Sequence, residues 1–228
     1  MDETINTLFD HLIAKGQLKQ QVFDATAASF GALRETAKKI AQAYQESGVN
    51  KSGRIPFEFK NRGNFEFEIK FGGDVLLFIM HSNIFEFPRD HAVFKTPYLK
   101  EDKTRSYCGI INIYNFLADS FKYNRMNDLG YLIGRIFINK ERNYLLEGKR
   151  ELGLIYNNFE KNELNDQHIQ KIMERAIEYT INFDLLTPPY QTVQQISVYD
   201  IRTTIDNMQL KTGKRLGFRF QADQEEVK

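Results

Sequence analysis

The chain has 228 residues, 42% hydrophobic and 13% aromatic, enough apolar material for one domain with a sizeable core and too much for disorder along most of its length. Its 31 basic and 30 acidic side chains leave a formal net charge of +1, which argues against a dedicated nucleic-acid binder, since that affinity needs an excess of Lys and Arg to neutralise phosphates. The single cysteine, Cys108, excludes an intramolecular disulfide and a cysteine-built zinc site. The acidic, amphipathic start MDETINTLFD has no basic n-region of a signal peptide, and no apolar run reaches the roughly 18 residues that span a bilayer. A cytoplasmic protein with no membrane attachment is the expectation. No internal repeat and no low-complexity tract is present.

In chain order, Ile5, Leu8, Phe9, Leu12 and Ile13 fall at helical spacing and predict an amphipathic helix over 3–15 that ends near Gly16. A second helix is expected over 19–47, with Phe30, Leu33, Ala37, Ile40, Ala41 and Tyr44 on one face and Gly48 as its stop. This pair either covers the protein's own sheet, the favoured reading, or pairs with a second copy. The stretch 56–87 is rich in phenylalanine. Phe65, Phe67, Ile69 and Phe71 alternate with charged residues, while Val75 to Met80 is apolar throughout, as in a strand covered on both faces. Turns at 61–64 and 72–74 divide it into strands at 55–60, 64–71 and 75–87, an antiparallel meander.

Residues 88–105 carry two prolines and many charges without periodicity, and read as a long binding or contact loop. A strand follows at 106–115, apolar on both faces. Residues 116–128 read as a short helix or an irregular connection, and a hairpin pairs 131–138 with 143–147. Helices are expected at 149–160, at 166–183 with Asn165 as N-cap, and at 198–210, before a basic edge segment over 211–220 and an acidic tail. The expected fold class is α+β: one domain, 1–228, with a roughly six-stranded, mainly antiparallel meander sheet (55–148) between an N-terminal helical hairpin (1–48) and C-terminal helices (149–210).

Short catalytic motifs are missing. Gly148-Lys149 and Gly213-Lys214 are each followed by arginine, so neither is a P-loop, and there is no H-E-x-x-H, C-x-x-C or G-x-S-x-G. The histidines lack ligand spacing, and neither a metal nor a cofactor is expected. Polar residues within apolar strands are the stronger signal. His81 and Asn83 continue the face of Leu77 and Ile79. Asn112 sits among isoleucines, and Arg135 falls on the alternation of Tyr131, Ile133 and Phe137. Buried without partners such groups cost several kcal/mol. In register, His81, Asn83, Asn112 and Arg135 would line a patch able to hold a small anion. The same residues also fit strands that simply emerge from the core. Arg89, Asp90 and His91 form a second candidate group in the loop, with His91 and Asp90 as a base and its orienter, although adjacent residues rarely reach that geometry. Cys108 reads as a small core residue.

The leading expectation is a non-enzymatic cytoplasmic binding or interaction module for a small anionic ligand, homodimeric through its terminal helices. Beside it stand an enzyme, a hydrolase or transferase acting on a small anionic substrate through His81 and Arg135, and a weak nucleic-acid binder using 211–220.

Overall fold

The computed structural model of the chain describes residues 3–149, 152, 159–184, 187 and 189–199. It opens on one helix, α1 (Glu3–Glu46), of 44 residues, about 66 Å long at 1.5 Å per residue. The expected helical hairpin is therefore a single helix. Gly16 costs about 1 kcal/mol relative to alanine, but a stop needs a proline or a left-handed residue. The first left-handed glycine after the helix begins is Gly48, at φ 64, and it ends the helix where the sequence places the stop.

Strands β1 (Phe57–Asn61), β2 (Glu66–Phe71), β3 (Asp74–Met80), β4 (Phe85–Glu86), β5 (Tyr107–Leu117), β6 (Tyr131–Ile138) and β7 (Tyr144–Gly148) build an open antiparallel sheet in the order β1-β2-β3-β5-β6-β7, with β4 pairing β5. The α+β class and the antiparallel meander stand, with seven strands in place of six. The expected strand 75–87 is cut in two. His81 turns its Nδ1 to the Asn83 N–H at 3.0 Å, and only Phe85 and Glu86 return to pair with Cys108 and Tyr107.

The segment 88–105 is not an irregular loop. It holds a 3₁₀ turn (Ala92–Lys95), helix α2 (Pro97–Glu101) and a second 3₁₀ turn (Lys103–Ser106), capped by the side chains of His91, Thr96 and Asp102. Elements of four or five residues are too short for periodicity to register. Helix α3 (Ala118–Lys122) follows β5. Helix α4 (Asp166–Ile181) starts with the Asn165 side chain accepting the His168 N–H, as the sequence indicates. The helix expected over 149–160 lies mostly outside the described residues, the helix over 198–210 lies outside them but for its first two residues, and the basic segment 211–220 lies wholly outside them.

One sheet face buries Phe67, Ile69, Leu76, Phe78, Ile111, Ile113, Ile136 and Leu146 against Phe30 and Leu33 of α1 and Ile172 and Met173 of α4. Phe67 stacks on Phe78 at 4.6 Å and meets Phe30 at 5.2 Å, so the phenylalanines of the 56–87 stretch do anchor the core. Thr26 and Ser29, buried in α1, return their hydroxyls to Val22 and Ala25 carbonyls at 2.7 and 2.8 Å. Where α1 crosses β5 the strand carries Gly109, and a Cβ there would lie 2.2 Å from the Thr26 hydroxyl oxygen. The close approach of helix and strand requires that glycine. On the other face, Phe87, Val93, Tyr98 and Leu99 close over Cys108, Ile110 and Phe137. Burial raises the Cys108 thiol pKa far above the ordinary range, in keeping with a core residue.

A bulge decides which side chains share a face on β6. Ile113 pairs with Gly134 but Tyr114 pairs with Leu132, leaving Ile133 as the extra residue. Ile133 and Tyr131 therefore join the helix-covered core, whereas Arg135 and Phe137 face the other way. The expected single face of Tyr131, Ile133, Arg135 and Phe137 is split by this one insertion.

Candidate functional site

Of the four residues expected to form an anion patch, the structure pairs two. Asn112 and Arg135 are direct cross-strand partners, in a row that runs Ile79, Asn112, Arg135, Glu147 across β3, β5, β6 and β7. The guanidinium is engaged within that row: its Nε donates to Glu147 Oε2 at 3.0 Å and its Nη2 to the same oxygen. His81 lies two rows further on, exposed, with its N–H donating to the Ile110 carbonyl at 2.9 Å. Its ring meets Phe85 edge-on at 4.8 Å. Asn83 belongs to the turn after it.

The loop candidates make local structure. His91 Nδ1 accepts the Val93 N–H at 3.3 Å, as the cap of the first 3₁₀ turn, and its ring stacks on Phe87 at 4.7 Å. Arg89 pairs with Glu86 at 3.0 Å. His91 thus commits Nδ1 to the backbone and not to Asp90.

A polar network that the sequence did not reveal pins 88–106 to the turn between β6 and β7. Tyr98 donates to Glu141 at 2.7 Å and accepts from Asn139 Nδ2 at 2.8 Å. Arg105 donates to Glu141 at 2.9 Å and to the Tyr98 carbonyl at 2.9 Å. Lys140 donates to Asp102 and Thr104, each at 2.7 Å. Burial, then the hydrogen bond to Glu141, raises the Tyr98 hydroxyl pKa well above the usual phenol value. Lys140, then Thr104, hold the Asp102 carboxyl well below the ordinary range. For Glu141 burial acts upward, but Tyr98 and Arg105 outweigh it and the net shift is downward. Its polar groups find partners within the segment and the turn, so it fastens structure.

The start of α1 lies outside both described core clusters. Helix contact with the sheet begins at Lys15, whose Nζ sits 3.9 Å from the centre of the Tyr107 ring and donates to its hydroxyl. Tyr107 in turn donates to Glu86 at 2.8 Å. Before Lys15, every residue from 4 to 14 is exposed, a projection of about 17 Å at 1.5 Å per residue. Ile5, Leu8, Phe9, Leu12 and Ile13 lie there at 40%, 63%, 45%, 67% and 56% exposure. The spacing of this stripe was legible in the sequence; its exposure was not, because the sheet beneath α1 ends before the helix does.

Two clefts lie elsewhere. One of about 650 Å³ runs along the polar side of α4 past Gln170, Glu174 and Glu178. Another of about 320 Å³ sits between Tyr44, Asn50, Ile55 and Phe57. Neither is lined by His81, Asn112 or Arg135. Among the described residues no group of three or more His, Cys, Asp or Glu side chains could hold a metal ion, and no helix is long and apolar enough to cross a membrane. No family model, curated protein or solved structure matches the chain.

Proposed function

We propose that this chain is a non-catalytic interaction module that engages a macromolecular partner through the free end of α1. The observation that carries the reading is the stripe of five large apolar side chains, 40% to 67% exposed, on a helix end where every residue from 4 to 14 is exposed. Single exposed apolar residues are ordinary, but a contiguous patch on one element is the mark of an interaction surface. Spacing of i, i+3, i+4, i+7 and i+8 is also how a helix presents anchors to a groove or to another helix. The Lys15–Tyr107–Glu86 contact supports the reading, since it fastens α1 to the sheet at the point of departure and presents the stripe in a defined direction.

Completing the burial of each side chain would contribute about 1 kcal/mol at half exposure. The test is the double substitution Leu8→Asp with Leu12→Asp. Both positions lie outside the core, so the melting temperature should hold, while any larger native assembly in lysate of the source cells should collapse to the 26.7 kDa chain. An assembly that survives both substitutions unchanged overturns the proposal.

A further inference from the structure

We propose that 88–105 is a lid that lifts from the sheet as one unit, with the strands beneath it intact, and that its lifting governs access to the Cys108 thiol. The ends of the segment are clamped together. The Phe87 N–H donates to the Ser106 carbonyl at 3.2 Å, and Phe85 and Glu86 pair with Cys108 and Tyr107. Such a closed surface excursion is built like a long Ω-loop, and lifting it breaks no strand pairing. Its backbone hydrogen bonds run inside the segment: His91 to Pro88, Phe94 to His91, Thr96 to Val93, Lys100 to Thr96 and Arg105 to Asp102. Among the described residues no backbone–backbone hydrogen bond joins 88–105 to another element.

Side chains therefore hold the lid down. Apart from the Arg89–Glu86 pair at its hinge, the polar fastenings described above all reach one turn, at Asn139, Lys140 and Glu141. Within 88–105 only Val93, Tyr98 and Leu99 are buried. They rest on Cys108, Ile110, Phe137 and Phe159, a cluster separate from the helix-covered core. The ladder beneath, Gly109 with Ile138 and Ile111 with Ile136, is complete without them. Few buried apolar contacts and purely local backbone bonds mark a unit that opens below the free energy of global unfolding. Gly109 meets α1 at Thr26, so alternation turns its neighbour Cys108 to the lid side. The closed lid withholds that thiol in two ways. At 1% exposure no reagent reaches it, and burial raises its pKa far above the ordinary range, which leaves almost no reactive thiolate. Opening removes both.

The test follows alkylation of Cys108, the chain's one cysteine, by iodoacetamide in the full-length protein, read by mass spectrometry, with the urea-unfolded chain as reference. Without denaturant it should run roughly tenfold or more faster than global unfolding, measured by urea titration, permits. Low urea should barely change the rate, since lifting the lid exposes little surface. Tyr98→Phe should speed alkylation on the order of a hundredfold, because the orphaned Asn139 amide and the lost Glu141 bond burden only the closed lid. Lys140→Met should speed it roughly fivefold. Ile172→Val, in the helix-covered core, should lower the urea midpoint and leave alkylation unchanged. Hydrogen exchange reads the same opening without the thiol: the Phe94, Thr96 and Lys100 amides should exchange together, ahead of Ile111 and Ile113. Alkylation at the rate set by global unfolding, with its full urea dependence, overturns the inference. So do lid amides protected as well as those of β5, and alkylation that Ile172→Val speeds as much as Lys140→Met does. Fast alkylation indifferent to Tyr98→Phe and Lys140→Met places the opening elsewhere and also overturns it. Should Tyr98→Phe fail to fold, Lys140→Met and exchange in the parent chain decide.

Discussion

Tyr98→Phe removes one oxygen from the network that fastens 88–106, and its cost can be worked out. Tyr98 is 6% exposed and Asn139 0%, so the change leaves the Asn139 amide nitrogen buried with no acceptor. The other half of that amide is committed, its Oδ1 accepting the N–H groups of Glu141 and Asn143 at 3.0 Å each, and it cannot turn to compensate. An orphaned buried donor costs about 1–3 kcal/mol, and a lost bond to a charged acceptor about 1.5–3 kcal/mol. The second figure is discounted because the Glu141 side chain is 36% exposed and keeps Arg105. The expected total is about 3 kcal/mol, a fall of about 6–12 °C in melting temperature for a domain of this size. Urea titration measures the global loss, and hydrogen exchange at Leu99 and Lys100 tests whether 88–106 opens first. In a Glu141→Gln background the loss should shrink, with a coupling of at least about 0.5 kcal/mol. A Tyr98→Phe chain within about 0.5 kcal/mol of the parent would refute this account of what holds the segment.

Three further outcomes are expected. The depressed carboxyls of Asp102 and Glu141 contribute stability that is fully present above the unfolded carboxylate value near 4 and is lost as the pH falls through the lower folded values; the urea midpoint should drop below about pH 4, and Lys140→Met should flatten that drop. Gly109→Ala places a methyl 2.2 Å from the Thr26 hydroxyl oxygen and should cost about 2 kcal/mol or more. Thr26→Ala should restore only part of this, because its own Cβ remains at 2.8 Å; full recovery would show that the backbones have room to part. Thr180 is 1% exposed and its hydroxyl has no partner among the described residues, so Thr180→Val should raise stability by about 1 kcal/mol. A loss on calorimetry would mean the hydroxyl has a partner.

Much of this architecture was written in local pattern. Period-two alternation over Phe65–Phe71, the unbroken run Val75–Met80, and the short turns between them dictate antiparallel neighbours, because chain reversals of two to four residues permit nothing else. Gly48 and Asn165 mark helix ends through chemistry confined to a single turn. What sequence could not decide was anything set by residues far along the chain. The bulge at Ile133 depends on how β5 and β6 meet and sends Arg135 to the face opposite Ile133, while the β6–β7 register sets it beside Glu147. Whether Leu8 and Leu12 are core or surface depends on how far the sheet extends beneath α1, and the sheet stops under Lys15. The helical spacing of the stripe belongs to the sequence; its exposure belongs to the tertiary structure, since burial is a property of what lies opposite.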